Sequence, residues 1–138
     1  MANEALTSAV KGIIALARGG DVDGSYDAYR YLFERADFRA SRPEDQRQVL
    51  RLMLRATDAV KKPTPSILAA HRAALAPLTE LVSTLSEPGD HELLGVCHLL
   101  LGNDESASAI FRAGLATERE RNPQSDLCGS LMKRISLI

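Results

Sequence analysis

Residues 91–115, HELLGVCHLLLGNDESASAIFRAGL, constrain the fold more than any other stretch, because small and large residues alternate there in a helix–turn–helix rhythm. Leu94-Gly95 is followed seven residues on by Gly102, five later by Ala107, four later by Phe111 and three later by Gly114. Two helices that approach closely need small residues where their backbones meet and a large ring wedged between them. The spacing therefore predicts an antiparallel pair, with Gly102-Asn103-Asp104 as its turn.

The remainder of the chain reads as helix in the same way. Apolar residues recur at helical spacing, and β-branched residues never form the alternating run that a strand needs. Helix one is expected from about Asn3 to Arg18, with Ala5, Leu6, Ala9, Val10, Ile13, Leu16 and Ala17 on one face. Gly19-Gly20 ends it, and Asp21 or Asp23 caps helix two, which runs to about Ala36 and buries Tyr26, Tyr29, Leu32 and Phe33. Residues 39–42 form a loop. Ser41 as N-cap, Pro43 in the first turn and the acids Glu44 and Asp45 then open helix three, which runs to about Val60. It should present Val49, Leu50, Met53, Leu54 and Ala56 to the core. Thr64-Pro65 starts helix four, which runs to about Ser86 and contains Pro77. A proline there removes a backbone hydrogen bond and crowds the preceding turn, so a kink near Ala73–Ala76 or two shorter helices are expected. Glu87–Asp90 makes a turn and cap; helix five spans about Asp90 to Leu101, helix six Asp104 to Arg121, and helix seven Pro123 to Ile135.

The spacing around Gly95 and Phe111 resembles the tetratricopeptide repeat. Gly20, Ser25 and Tyr29 echo the spacing of Gly102, Ala107 and Phe111, and Gly12 and Gly19 are seven apart like Gly95 and Gly102. The chain departs from the family pattern where aromatics are expected, at His91 and His98, and where the closing proline is expected, at Arg119. The resemblance implies an all-α fold of three antiparallel hairpins stacked as a superhelix, with the last helix as a cap. A compact irregular helical bundle is the alternative. Either way the 138 residues are read as one domain, long enough to bury a core.

Composition narrows the function. A net charge of −1 and few aromatics argue against a general nucleic-acid binder. The N-terminal apolar patch is interrupted by Glu4, Lys11 and Arg18, so it reads as neither signal peptide nor membrane span. A cytoplasmic protein with Cys97 and Cys128 reduced is expected. The excess of arginine over lysine fits a GC-rich bacterial genome.

The residue patterns offer little for catalysis. His91 and His98 are seven apart, with Cys97 turned away from His98, whereas helical zinc ligands want a spacing of three or four. His98 reads better as an interhelical ring, Cys97 as a small buried hydrophobe, and His71, amid alanines, as a partly exposed helix residue. The string DVDGSYDAYRYL lacks the glycine position and bidentate glutamate of a calcium loop. No nucleophile elbow or phosphate-binding loop is present. No enzyme, metal or cofactor is expected.

Binding is better supported. Arg47, Arg51 and Arg55 recur every four residues on helix three, a basic ridge suited to carboxylates, although Glu44 and Asp58 are placed to neutralise part of it. A solvated helix face is the plainer reading of the same pattern. The tetratricopeptide resemblance implies that first helices of pairs line a groove. By that carry-over Glu92, Val96 and Leu99 of helix five join Arg47, Arg51 and Arg55 as partner-binding residues. The expected function is a non-catalytic adaptor, co-chaperone or scaffold holding another protein or peptide, acidic ones being suited to the arginines. Self-assembly through the apolar end Ile135–Ile138 is the alternative, with nucleic-acid binding through the arginines of helix three less favoured.

Overall fold

The structure, a computed structural model, describes residues 4–138. It is all-helical, as the apolar periodicity predicts, and no strand occurs among the described residues. The helices are α1 (Glu4–Arg18), α2 (Val22–Phe33), α3 (Ala36–Arg39), α4 (Pro43–Thr57), α5 (Pro65–Leu85), α6 (Pro88–Leu100), α7 (Asp104–Arg121) and α8 (Asp126–Ser136). Asn3, the expected start of helix one, lies outside the described residues. The chain forms two compact units, the first ending at Pro77 and the second Leu78–Ile138.

In the first unit, α1 packs against α2 through a narrower face than its sequence suggests. Leu6, Val10 and Ile13 are buried, while Ala5, Leu16 and Ala17 are exposed. Gly20, with φ of 91°, reverses the chain after α1, a conformation that side chains resist. Asp21 is the cap of α2, its Oδ1 accepting from the Gly24 N–H at 2.9 Å. Helix two ends earlier than expected. Phe33 closes it, and the single turn of α3 seats Phe38, fully buried, where a loop was expected just downstream.

The rings of this unit touch in series. Tyr26 and Tyr29 have centroids 6.1 Å apart, Tyr29 and Phe33 5.9 Å, and Phe33 and Phe38 5.2 Å. Burying a ring or a large aliphatic side chain contributes roughly 1.5–3 kcal/mol, and these rings share the core with buried aliphatic side chains such as Leu50, Met53 and Ile67. One polar path runs through it. Thr57 Oγ1 donates to the Met53 carbonyl at 2.9 Å, so the Tyr26 hydroxyl donates to Thr57 Oγ1, also at 2.9 Å. Thr57 thus occupies the inward position expected of Ala56, which is exposed.

The start of α4 also differs in detail. Pro43 lies in the first turn as expected, but Arg42 rather than Ser41 holds the cap position. The Ser41 hydroxyl instead donates back to the Asp37 carbonyl at 2.8 Å, which the turn of α3 has brought within reach. Thr64 is the cap of α5, accepting from the Ile67 N–H at 3.3 Å and donating to Asp23 Oδ1 at 2.7 Å. α5 is one unbroken helix with Pro77 inside it, not two shorter ones, and the border between the units falls at that proline.

His71 is fully buried rather than partly exposed. Ala70 and Ala74 are buried on the same helix, and the His71 ring stacks on Tyr26 with centroids 6.2 Å apart and planes 29° from parallel. Its Nδ1 lies 2.7 Å from the Ile67 carbonyl, which can only accept, so Nδ1 carries the proton. Burial lowers its pKa.

The second unit is built differently. α6 and α7 form the antiparallel pair foreseen from residues 91–115, and α8 packs on α7. Gly102, with φ of 81°, makes the turn. A Cβ placed on Gly95 would stand 2.2 Å from Cε1 of Phe111, and one on Gly114 would stand 2.7 Å from Cβ of His91. Both distances are below any real carbon contact, so the two glycines are what let these helices approach. Phe111, Ala107, Leu115, Cys128 and Leu131 form the core, with Val96, Leu99, Leu127 and Ile135 packed against it.

Candidate functional site

Two surfaces bear on binding, one in each unit. The first is the arginine ridge of α4. Arg47 and Arg51 are half-buried and Arg55 is exposed. Successive members are about 6 Å apart along the axis. Arg51 and Arg55 make no ion pair among the described residues. Asp58, expected to pair with Arg55, sits at the C-cap and offers only its backbone N–H to the Arg55 carbonyl, at 3.2 Å. The helix dipole disfavours a carboxylate at that end. At the start of α4 the capping residue Arg42 pairs with the buried Asp45, at 3.3 Å.

Glu92, Val96 and Leu99 are in the second unit, so the six expected binding residues fall into two separate sets. These three are engaged within their own unit. Glu92 Oε2 accepts from Arg134 Nε at 2.9 Å and from the Ser130 hydroxyl, both on α8. Val96 and Leu99 are partly buried against the core cluster of α7 and α8. The last helix thus ties down Glu92, while Val96 and Leu99 keep part of their surface exposed.

The same helix creates a different groove, along α7. It holds about 380 Å³, within the ~300–1,000 Å³ typical of ligand pockets. Leu115, Ala116, Met132 and Ile135 supply its apolar lining, and Arg112, Arg119 and Ser136 its polar lining. Met132 is 49% exposed. Its neighbours Cys128 and Leu131 take the inward positions. Beyond the groove Leu137 is 76% exposed. Arg112 Nε donates to Ser108 Oγ at 3.2 Å, and Arg119 makes no ion pair among the described residues. A crevice of the first unit, beside Arg35 and Asp37, holds only about 10 Å³, room for roughly one water.

Sequence reasoning missed this groove. A signal was available, since Arg112 and Arg119 are seven residues apart on one helix and Met132 and Ile135 are three apart on the next. Which apolar side chains a terminal helix leaves outside depends on how it rolls against its neighbour, and periodicity alone does not fix that.

The reactive side chains are tied into packing. Burial pushes the Cys97 thiol up to about 12, far from the thiolate form that attacks electrophiles. Cys128 is also buried, with Sγ 3.5 Å from the Asn122 carbonyl, and both cysteines are free thiols. His91 supplies the interhelical contact expected of His98. Its Cβ faces Gly114, and its Nδ1–H donates to the Glu87 carbonyl at 2.9 Å. His98 is half-buried near the turn, accepting from Asn103 Nδ2 at 3.1 Å.

No helix among the described residues is long and apolar enough to cross a membrane. No family model matches the chain, and neither the curated proteins nor the solved structures contain a significant match to it.

Proposed function

We propose that this chain is a non-catalytic interaction module that holds a partner protein or peptide, acting in the cytoplasm as an adaptor or scaffold. The observation that carries the reading is the α7–α8 groove, lined by apolar side chains together with two arginines. Binding surfaces combine an apolar centre with polar and arginine-rich edges in this way. The tetratricopeptide-like spacing of Gly95, Gly102, Ala107 and Phe111 supports the same reading, because members of that family bind proteins and peptides. The arginines of α4 offer a second surface for acidic groups.

A second reading, self-assembly, draws support from the exposed Met132, Leu137 and Ile138. One experiment separates the two. A photo-reactive phenylalanine is installed in place of Met132 in one sample and of Arg55 in another, and cross-linked products from the source cells are sequenced by mass spectrometry. Recurrent cross-linking of one other protein from position 132 is expected. Cross-links only between copies of this chain would favour self-assembly. A partner cross-linked from position 55 alone would move the site to α4.

A further inference from the structure

Resting on that reading of the α7–α8 groove, we infer that its occupant is an acidic amphipathic helix lying along α7. The charge at the site selects the partner. The whole chain is nearly neutral at −1, yet the groove lining carries two arginines and no carboxylate. The acids of these two helices, such as Glu118, Glu120 and Asp126, are absent from the lining. Arg119 has no internal ion pair among the described residues, and Arg112 uses Nε on a neutral hydroxyl, leaving its other N–H donors available.

Spacing selects a helix. Arg112 and Arg119 are seven residues apart, which places them about 10.5 Å apart along the axis on one face of α7. A helix lying alongside presents carboxylates seven residues apart at the same interval. Ala116, between the arginines, is small enough to admit a close backbone. An apolar side chain midway between the two carboxylates then falls on Leu115, Met132 and Ile135. Apolar anchors supply affinity in helix-in-groove binding and charges supply register. A segment of about three turns spans the site.

The test uses fluorescein-labelled synthetic helices of one sequence pattern, with leucines on one face and glutamates seven apart beside them. Matched peptides carry glutamine or lysine in place of the glutamates. Anisotropy titrations against the full chain compare wild type, Met132→Asp and the pair Arg112→Glu with Arg119→Glu, after circular dichroism shows equal helicity and equal melting. The acidic peptide should bind wild type most tightly, lose about tenfold on double charge reversal and weaken as salt is raised. The reversed variant should prefer the lysine peptide. If all three peptides bind wild type equally and still lose to Met132→Asp, the groove stands as a binding site and the acidic partner is wrong. If no peptide binds and sedimentation shows Met132-dependent dimers, a second copy is the occupant and the inference falls. Absence of both would overturn the groove reading itself.

Discussion

The two units solve the same packing problem in opposite ways. In the first, the core includes a series of touching rings, Tyr26, Tyr29, Phe33 and Phe38, with the imidazole of His71 stacked at one end. In the second, Phe111 is the sole aromatic side chain, and glycines bring α6 and α7 together around it. Filled space fails when volume is removed, and closed space also fails when volume is added. The pair shows how one secondary-structure class yields cores with different sensitivities.

Ring deletion should have the largest effect and touch both units. Phe111→Ala and Phe33→Ala remove fully buried rings and should each cost about 3–5 kcal/mol, read as a drop in denaturation midpoint by circular dichroism. An effect below about 1 kcal/mol at either site would mean that neighbouring side chains collapse into the space.

Adding one methyl sharpens the contrast. Gly95→Ala places a carbon 2.2–2.7 Å from three atoms of a ring with no exposed surface, a clash expected to cost about 1–3 kcal/mol. That outweighs the gain of up to about 1 kcal/mol that alanine brings to a helix interior.

The first unit should contribute a pH dependence of its own. Burial holds the His71 pKa below its ordinary 6.5, so the unfolded chain takes up a proton near that pH that the folded chain refuses. Stability present above about pH 6.5 is then lost as pH falls toward the folded value. Melting temperatures between about pH 7 and 5 should fall for wild type and fall less for His71→Phe. An identical slope in both would contradict the assignment.

The smallest effect has the opposite sign. Gly12 in α1 and Gly129 in α8 are exposed helix residues with open space where a Cβ would stand. Alanine at either should raise stability by about 0.5–1 kcal/mol.

How much the sequence discloses follows the same division. The α6–α7 pair is legible because steric demands there are written as identities: glycine is needed at 95 and 114, and a ring is needed at 111. α3 is not legible, because four residues give no helical period, and only the packing of Phe38 reveals the turn. His71 misleads because a titratable residue reads as surface, whereas its ring is fully buried and stacked on Tyr26. The surface side chains are the least legible. The pairing of Glu92 with Arg134 and Ser130, some forty residues later, leaves no mark in the local pattern. Arg112 and Arg119 are drawn into one groove only by the way α8 leaves Met132 exposed beside them.

A double-mutant cycle on Gly95 and Phe111 tests the close-packing claim most directly, with unfolding followed by circular dichroism for Gly95→Ala, Phe111→Leu and the double variant. If the added methyl clashes with the ring, Gly95→Ala should destabilise the wild type but cost little or even stabilise once leucine replaces Phe111. The coupling should lie at roughly 1–3 kcal/mol. Additive effects of the two changes would contradict the claim that Phe111 is seated against Gly95.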